Sequence, residues 1–183
     1  MKEIVIYNSK TGFTKQYASW IAKELECEAI SNQEITRESL KPYQTIIYGG
    51  GITAGQIGGF KKFKNIMLDQ TDKQLIVFAT GATPMEQKEN IKGIVAANFT
   101  EEEKTRISFY YFQSGINYEN MNFGGRMVLR MLAFMLEKKK NKTKDEIGMI
   151  QALRDSNDCS NRSHIVPLVE KVRSESIEKG SCS

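Results

Sequence analysis

The chain is poor in the residues that make covalent staples and metal centres: 183 residues hold three cysteines, one histidine, one tryptophan and three prolines. Cys27, Cys159 and Cys182 are odd in number and lack metal-type spacing, and His164 stands alone, so neither a disulfide framework nor a zinc site is expected. A reducing compartment follows. Long apolar runs are also missing. The first run breaks at Asn8, short of a signal-peptide core, and none reaches the roughly 18 uninterrupted apolar residues of a spanning helix. The expected location is therefore cytoplasmic, with peripheral contact at the inner face of a membrane left open. A large charge excess is lacking too: 26 Lys and Arg stand against 22 Asp and Glu, a net charge of +4 that is too small to imply nucleic acid. What remains, 40% apolar and 26% charged, is an ordinary globular composition, and no internal repeat or long linker divides residues 1–183, so one domain is expected.

Short apolar runs rich in β-branched or aromatic residues occur at Ile4–Tyr7, Thr45–Tyr48, Leu75–Ala79 and Ile107–Phe112, as in buried parallel strands, with a weaker one at Glu28–Ile30. Between them lie helical patterns. The first places Phe13, Tyr17, Trp20, Ile21 and Leu25 on one face; others run from about Phe60 to Leu68 and from Met85 to Ala97. The order β-α-β-β-α-β-α-β-α implies an α/β, doubly wound parallel sheet, because parallel neighbours need helical crossovers that cover both faces.

Such a sheet binds ligands where loops leave the carboxyl ends of its strands, which selects Asn8–Thr14, Gly49–Gly59 and Thr80–Pro84. In the first, Ser9, Thr11 and Thr14 surround Gly12 and a helix begins at once, so hydroxyls and unpaired backbone N–H groups converge where an anion could sit. Ser, Thr and Gly also simply cap and turn ahead of many helices, but three hydroxyls around one glycine after the first strand favour a phosphate. A Walker loop is absent. Residues Gly49 to Ala54 fit the loose Rossmann pattern, with Asp69 about 20 residues on. That acid precedes the next strand instead of ending it, however, and the glycines follow an interior strand.

The stretch SKTGFT resembles the [ST]-x-T-G-x-T phosphate loop of flavodoxins. That resemblance implies a flavodoxin-like five-stranded sheet of order 2-1-3-4-5 and FMN as cofactor. Ser9, Thr11, Gly12 and Thr14 would bind its phosphate, with Lys10 and Phe13 contributing backbone. It also implies that Gly50, Gly51, Ile52, Thr53, Ala54 and Gly55, with Thr80, Gly81, Ala82 and Thr83, flank the flavin ring. Carrier flavodoxins usually stack an aromatic from these loops and carry an acidic surface. GGITAG and TGATP hold no aromatic and this chain is basic, which favours an enzyme over a carrier.

The segment at about 114–162 is rich in Met, Arg and Lys. Its FQSGINYENMNFGGRMVLRMLAFMLEKKKNKTKDE resembles the corresponding part of bacterial menaquinone-dependent protoporphyrinogen oxidases, with the glycine after the strand, Tyr118, the run from Arg126 to Leu132 and the polar Lys/Thr/Asp tail as shared elements. The resemblance implies an FMN-dependent oxidoreductase that moves electrons from a porphyrinogen-like substrate to a quinone, with Arg126 or Arg130 holding a propionate. A carrier serving a redox partner protein and a non-catalytic flavin-binding module are the alternatives. On residues alone, the helix from Met127 to Leu136 reads first as a core helix with solvated arginines, and second as an adjustable Met surface for a flat apolar ligand or a partner. Lys138, Lys139, Lys140, Lys142 and Lys144 fit either a solvated helix end or an anionic membrane surface. His164 and Trp20 are expected to be structural.

Overall fold

The computed structural model describes residues 2–67, 70, 72–121, 123–143, 147–148, 150, 153 and 155–180, the side chains of 177–180 excepted. Leu68, Asp69, Lys144 and Cys182, all named above, lie outside the described residues. The elements in chain order are β1 (Glu3–Asn8), α1 (Phe13–Leu25), β2 (Glu28–Ser31), α2 (Arg37–Leu40), β3 (Thr45–Thr53), β4 (Gln56–Ile57), α3 (Phe60–Met67), β5 (Gln74–Gly81), α4 (Lys88–Asn98), α5 (Glu101–Arg106), β6 (Ser108–Gln113), α6 (Phe123–Lys138), a 3-10 turn (Arg162–Ile165) and α7 (Val166–Gly180).

The five parallel strands run in the order β2-β1-β3-β5-β6, with β4 antiparallel to β3. Val5 pairs with Ala29 on one side and Ile47 on the other, so strand order reverses about β1. That reversal leaves a crevice at the carboxyl ends of β1 and β3. Both faces are covered. Ile4, Ile6, Ile46, Tyr48 and Val77 pack with Phe60 and Phe63 of α3, while the alternating residues Val5, Ile47, Ile76 and Phe78 pack with Tyr17 and Ile21 of α1 and Leu168 and Val172 of α7. Two buried faces explain why these strands read as continuous apolar runs.

Three local expectations change. β3 does not end at Tyr48. Gly49–Thr53 continue it and fold back onto β4 through Ala54 (φ 49°) and Gly55 (φ 77°), a two-residue turn whose positive φ values match the twist of the paired strands. The expected loop Gly49–Gly59 is thus mostly strand and tight turn. α4 starts at Lys88 instead of Met85, and α2 and α5 were not expected, although both open on capping boxes, Thr36 with Ser39 and Thr100 with Glu103.

The core-helix reading of α6 is overturned. Ala133 is its one buried residue among those described, while Phe123 (80% exposed), Met127, Val128, Met131, Phe134 and Met135 face outward. Trp20 packs edge-on against Tyr17 at 5.1 Å, in the core cluster under α1. His164 lies beside the same tyrosine. The Tyr17 hydroxyl donates to the Gln113 carbonyl (2.5 Å) and accepts from the Asn161 N–H (3.1 Å), so its 2.9 Å contact with His164 Nδ1 requires the imidazole to donate. This junction ties the 3-10 turn to α1 and the end of β6. Burial pushes the Tyr17 phenol above its ordinary range.

Candidate functional site

The three loops picked out by the sequence meet at the carboxyl ends of β1, β3 and β5. At the first, Gly12 adopts φ 99° and leads into α1, whose start has no side-chain cap and no acidic residue in its first turn. The first helical hydrogen bond is Gln16 N–H to the Gly12 carbonyl (3.0 Å), so the N–H groups of Phe13, Thr14 and Lys15 precede it. Ser9 Oγ accepts from the Gly12 N–H (3.2 Å) and shapes the turn. A Cβ placed on Gly12 would meet nothing within 4 Å, so the turn opens onto free space. Uncapped donors, a positive helix end and room above them are what a phosphate needs.

Thr14 and Thr80 are each 3% exposed, and their hydroxyls bond to one another at 2.8 Å, which ties the first loop to the third. One proton of the pair is used in that bond, and the second is left for another acceptor. Gly51 stands beside the pair: a Cβ there would lie 3.4 Å from Thr14 Oγ1 and 3.8 Å from Thr80 Oγ1. Gly81 approaches Ile52 and Tyr111, whose hydroxyl donates to the Thr83 carbonyl (2.8 Å) and braces the third loop. Burial pushes the Tyr111 phenol up to about 12, which keeps it a neutral donor. Ser9 and Thr11 are half-buried, Lys10 and Ala82 exposed, and the Phe13 ring is buried, leaving its backbone to the site. Thr53, Ala54 and Gly55 form the hairpin tip, held by Asn98, which donates to the Gly55 carbonyl (2.7 Å) and accepts from the Ile57 N–H (2.8 Å).

The glycine run is heterogeneous. A Cβ on Gly49 would fall 2.0 Å from Phe78 Cζ, and one on Gly50 would fall 2.8 Å from the Gly58 carbonyl oxygen, so both are required by packing. Gly59, at φ 72°, is pressed by Asn8, Asn32 and Tyr48, each within 2.6 Å of where a Cβ would be. Gly51 is free of such contacts and opens toward the hydroxyl pair.

Past β6 the chain returns to the first loop, a contact that sequence reasoning missed. Asn117 donates from Nδ2 to the Thr11 carbonyl (3.2 Å), joining the segment after β6 to the first loop; its place after a strand's carboxyl end was the available signal. Arg126 is held by its own loop, donating from Nε to Met121 O and from Nη2 to Glu119 O, both at 2.9 Å. Arg130 instead borders a groove of about 640 Å³ beside α6, together with Tyr118, Phe134 and Leu153. Glu119, Glu137 and Asp155 share that groove. The two arginines therefore do not converge on one spot.

The first loop thus suits a terminal phosphate, and the second and third loops meet beside it, Gly51 at the Thr14–Thr80 pair and Gly81 against Ile52. These residues fit FMN. The chain is similar to an oxidised flavodoxin 2 from Bacillus cereus, with 17% identity, a TM-score of 0.42, and coverage of 61% of this chain and 84% of that one. It is also similar to a WrbA-like flavodoxin from Agrobacterium tumefaciens (17% identity, TM-score 0.41, 67% and 86% covered). A third similar structure is the Trp repressor binding protein of Bacillus subtilis (15%, 0.42, 85% and 100%). No curated protein matches. The flavodoxin domain family matches residues 4–144, from β1 through α6, and so takes in all three loops and the segment after β6. The chain belongs to the flavodoxin-domain family, and FMN is the cofactor its site is built to hold.

Proposed function

We propose that the protein is an FMN-dependent oxidoreductase of the protoporphyrinogen-oxidase type, which takes electrons from a porphyrinogen-like substrate and passes them to a quinone. The observation that carries this reading is the segment after β6. It is fastened to the phosphate loop through Asn117, and it ends in a helix that sets Arg130 beside a groove edged by Tyr118 and Phe134 and shared by Glu119, Glu137 and Asp155. At that groove the Arg130 guanidinium would pair with one carboxylate arm of a macrocycle while Tyr118 and Phe134 contact the ring body, the three acidic side chains confining a carboxylate to the Arg130 side.

Bound FMN supplies the capacity to accept and release two electrons with a hydride. The chain supplies position. α1 and the Thr14–Thr80 pair would hold the phosphate end, Gly51 and Gly81 would let backbone approach the ring, and Tyr111 fixes the third loop. Arg126 orders the loop leading to α6, and Arg130 orients the substrate. Per turnover, two electrons and two protons leave the porphyrinogen and appear on the quinone as quinol, so the exchange balances without a further reductant.

The deciding experiment is anaerobic addition of protoporphyrinogen to the FMN-loaded protein, followed by a menaquinone analogue. Expected are flavin bleaching with rising porphyrin fluorescence, then recovery of flavin colour on adding the quinone. Flavin that binds but is reduced only through a partner reductase would establish a carrier and overturn the proposal.

A further inference from the structure

We infer that α6 lays its outward face on an anionic lipid surface. At 3.6 residues per turn, Phe123, Met127, Val128, Met131, Leu132, Phe134 and Met135 fall within about half the circumference of the helix. All seven are exposed, Met131 at 59% and Met135 at 64%. The inner half carries Leu129, Ala133 and Leu136, which pack with Ile116, Tyr118 and Leu153. Arg126, Arg130 and Glu137 occupy one boundary between the halves. The helix is therefore apolar on both sides, and its polar groups are confined to an edge and an end.

A solvent-facing helix normally has the reverse pattern, so this face calls for a covering phase. Charge selects which one. No acidic side chain stands on the outward half, and it runs directly into Lys138, Lys139, Lys140 and Lys142, all exposed. Lys138 Nζ lies 4.4 Å from the Phe134 ring centre, which places a cation at the rim of the apolar face. Apolar side chains over half a helix with lysines at its margin describe an interfacial helix on negatively charged headgroups. No helix among the described residues is long and apolar enough to cross a membrane, so the contact is peripheral. The inference rests on α6 alone and stands apart from the redox reading.

The test is flotation of the FMN-loaded chain with phosphatidylcholine vesicles, with and without phosphatidylglycerol. Binding is expected only with phosphatidylglycerol, weakening as salt rises. Met127→Glu with Met131→Glu should abolish it. Lys138→Gln with Lys140→Gln should weaken it roughly 25-fold, about five-fold per lysine. Circular dichroism checks that the variants remain folded. As an independent reading, Met131→Trp in a Trp20→Phe background should be quenched by brominated acyl chains. Absence of flotation with either vesicle, undiminished binding by the glutamate variants, or an unquenched Trp would overturn the inference. So would a concentration-dependent dimer abolished by Met131→Glu without any lipid binding, which would assign the face to a second copy of this chain.

Discussion

Replacing Gly49 and Gly51 separately by alanine should separate folding from cofactor binding, although the two glycines are two residues apart in one strand. Gly49 is paired with Phe78 across β3 and β5, and the Phe78 ring covers the place of the missing side chain. A Cβ would stand 2.0 Å from Cζ and 2.5 Å from both Cε atoms. Phe78 is fully buried and packs on Phe112 with ring centres 5.3 Å apart, so the ring cannot withdraw without moving its neighbours. Overpacking of this kind costs about 1–3 kcal/mol. Urea unfolding with a slope of roughly 1–3 kcal/mol per molar would then show a midpoint lower by about 1 M. The cost should be relieved in Gly49→Ala/Phe78→Leu, where the ring is gone, giving a coupling above about 0.5 kcal/mol. Gly51→Ala faces only ordinary contacts, so stability should hold within about 0.5 kcal/mol. Its methyl group would nevertheless sit over the Thr14–Thr80 hydroxyls and should weaken FMN binding about ten-fold, read by quenching of flavin fluorescence. A Gly49→Ala midpoint equal to wild type, or additive behaviour with Phe78→Leu, would refute the packing argument. Unchanged FMN affinity in Gly51→Ala would refute the site argument.

Asn117→Ala should weaken FMN binding several-fold, the equivalent of about 1 kcal/mol, by releasing the post-β6 segment from the Thr11 carbonyl; flavin titration measures it. Arg130→Ala should raise KM for porphyrinogen without changing FMN affinity, whereas Arg126→Ala should lower stability because it frees the carbonyls of Glu119 and Met121; steady-state kinetics and urea melts distinguish the two. Ala54→Asn should stabilise the hairpin by about 0.5–1 kcal/mol, because Asn tolerates the left-handed φ of 49° better than Ala, and thermal melts would show it. Tyr111 is raised to about 12 in the folded state, so the native protein holds a proton that the unfolded chain loses near pH 10. Its contribution is therefore complete below pH 10 and lost as pH climbs toward 12. Tyr111→Phe should remove about one proton from the pH slope of stability over that interval, measured as urea midpoints against pH.

The strands and the turn from Asn8 into α1 were legible because their signals are local. A buried parallel strand needs apolar residues on both faces, and a tight turn into a helix needs small hydroxyl and glycine residues in consecutive positions, as Gly12 at φ 99° shows. What escaped depended on partners distant in sequence. Gly49 to Thr53 looked like loop because glycines carry no apolar side chain, yet they extend β3 since Phe78 supplies the missing bulk from the neighbouring strand. The hairpin tip is Ala54-Gly55 instead of the Asn-Gly that marks such turns, so nothing local announced it. α5 was missed despite a readable capping box at Thr100 and Glu103, because none of its residues is buried and EEEKTR holds no apolar side chain to leave a periodic pattern. α6 shows the deepest limit. Its residues predict a helix that is apolar almost all round, and on base rates such a helix belongs in a core. Periodicity fixes the angle between side chains but not the rotation of the helix against the sheet. Here that rotation is set by Ala133, Leu129 and Leu136 packing against the post-β6 loop, while Arg126 fastens the helix start to that loop. The bulkier Met and Phe side chains are left outward as a result. Ala133, Leu129 and Leu136 thus mark the packed side and the Met and Phe side chains the exposed one, a division that only the contacts of the folded chain could reveal.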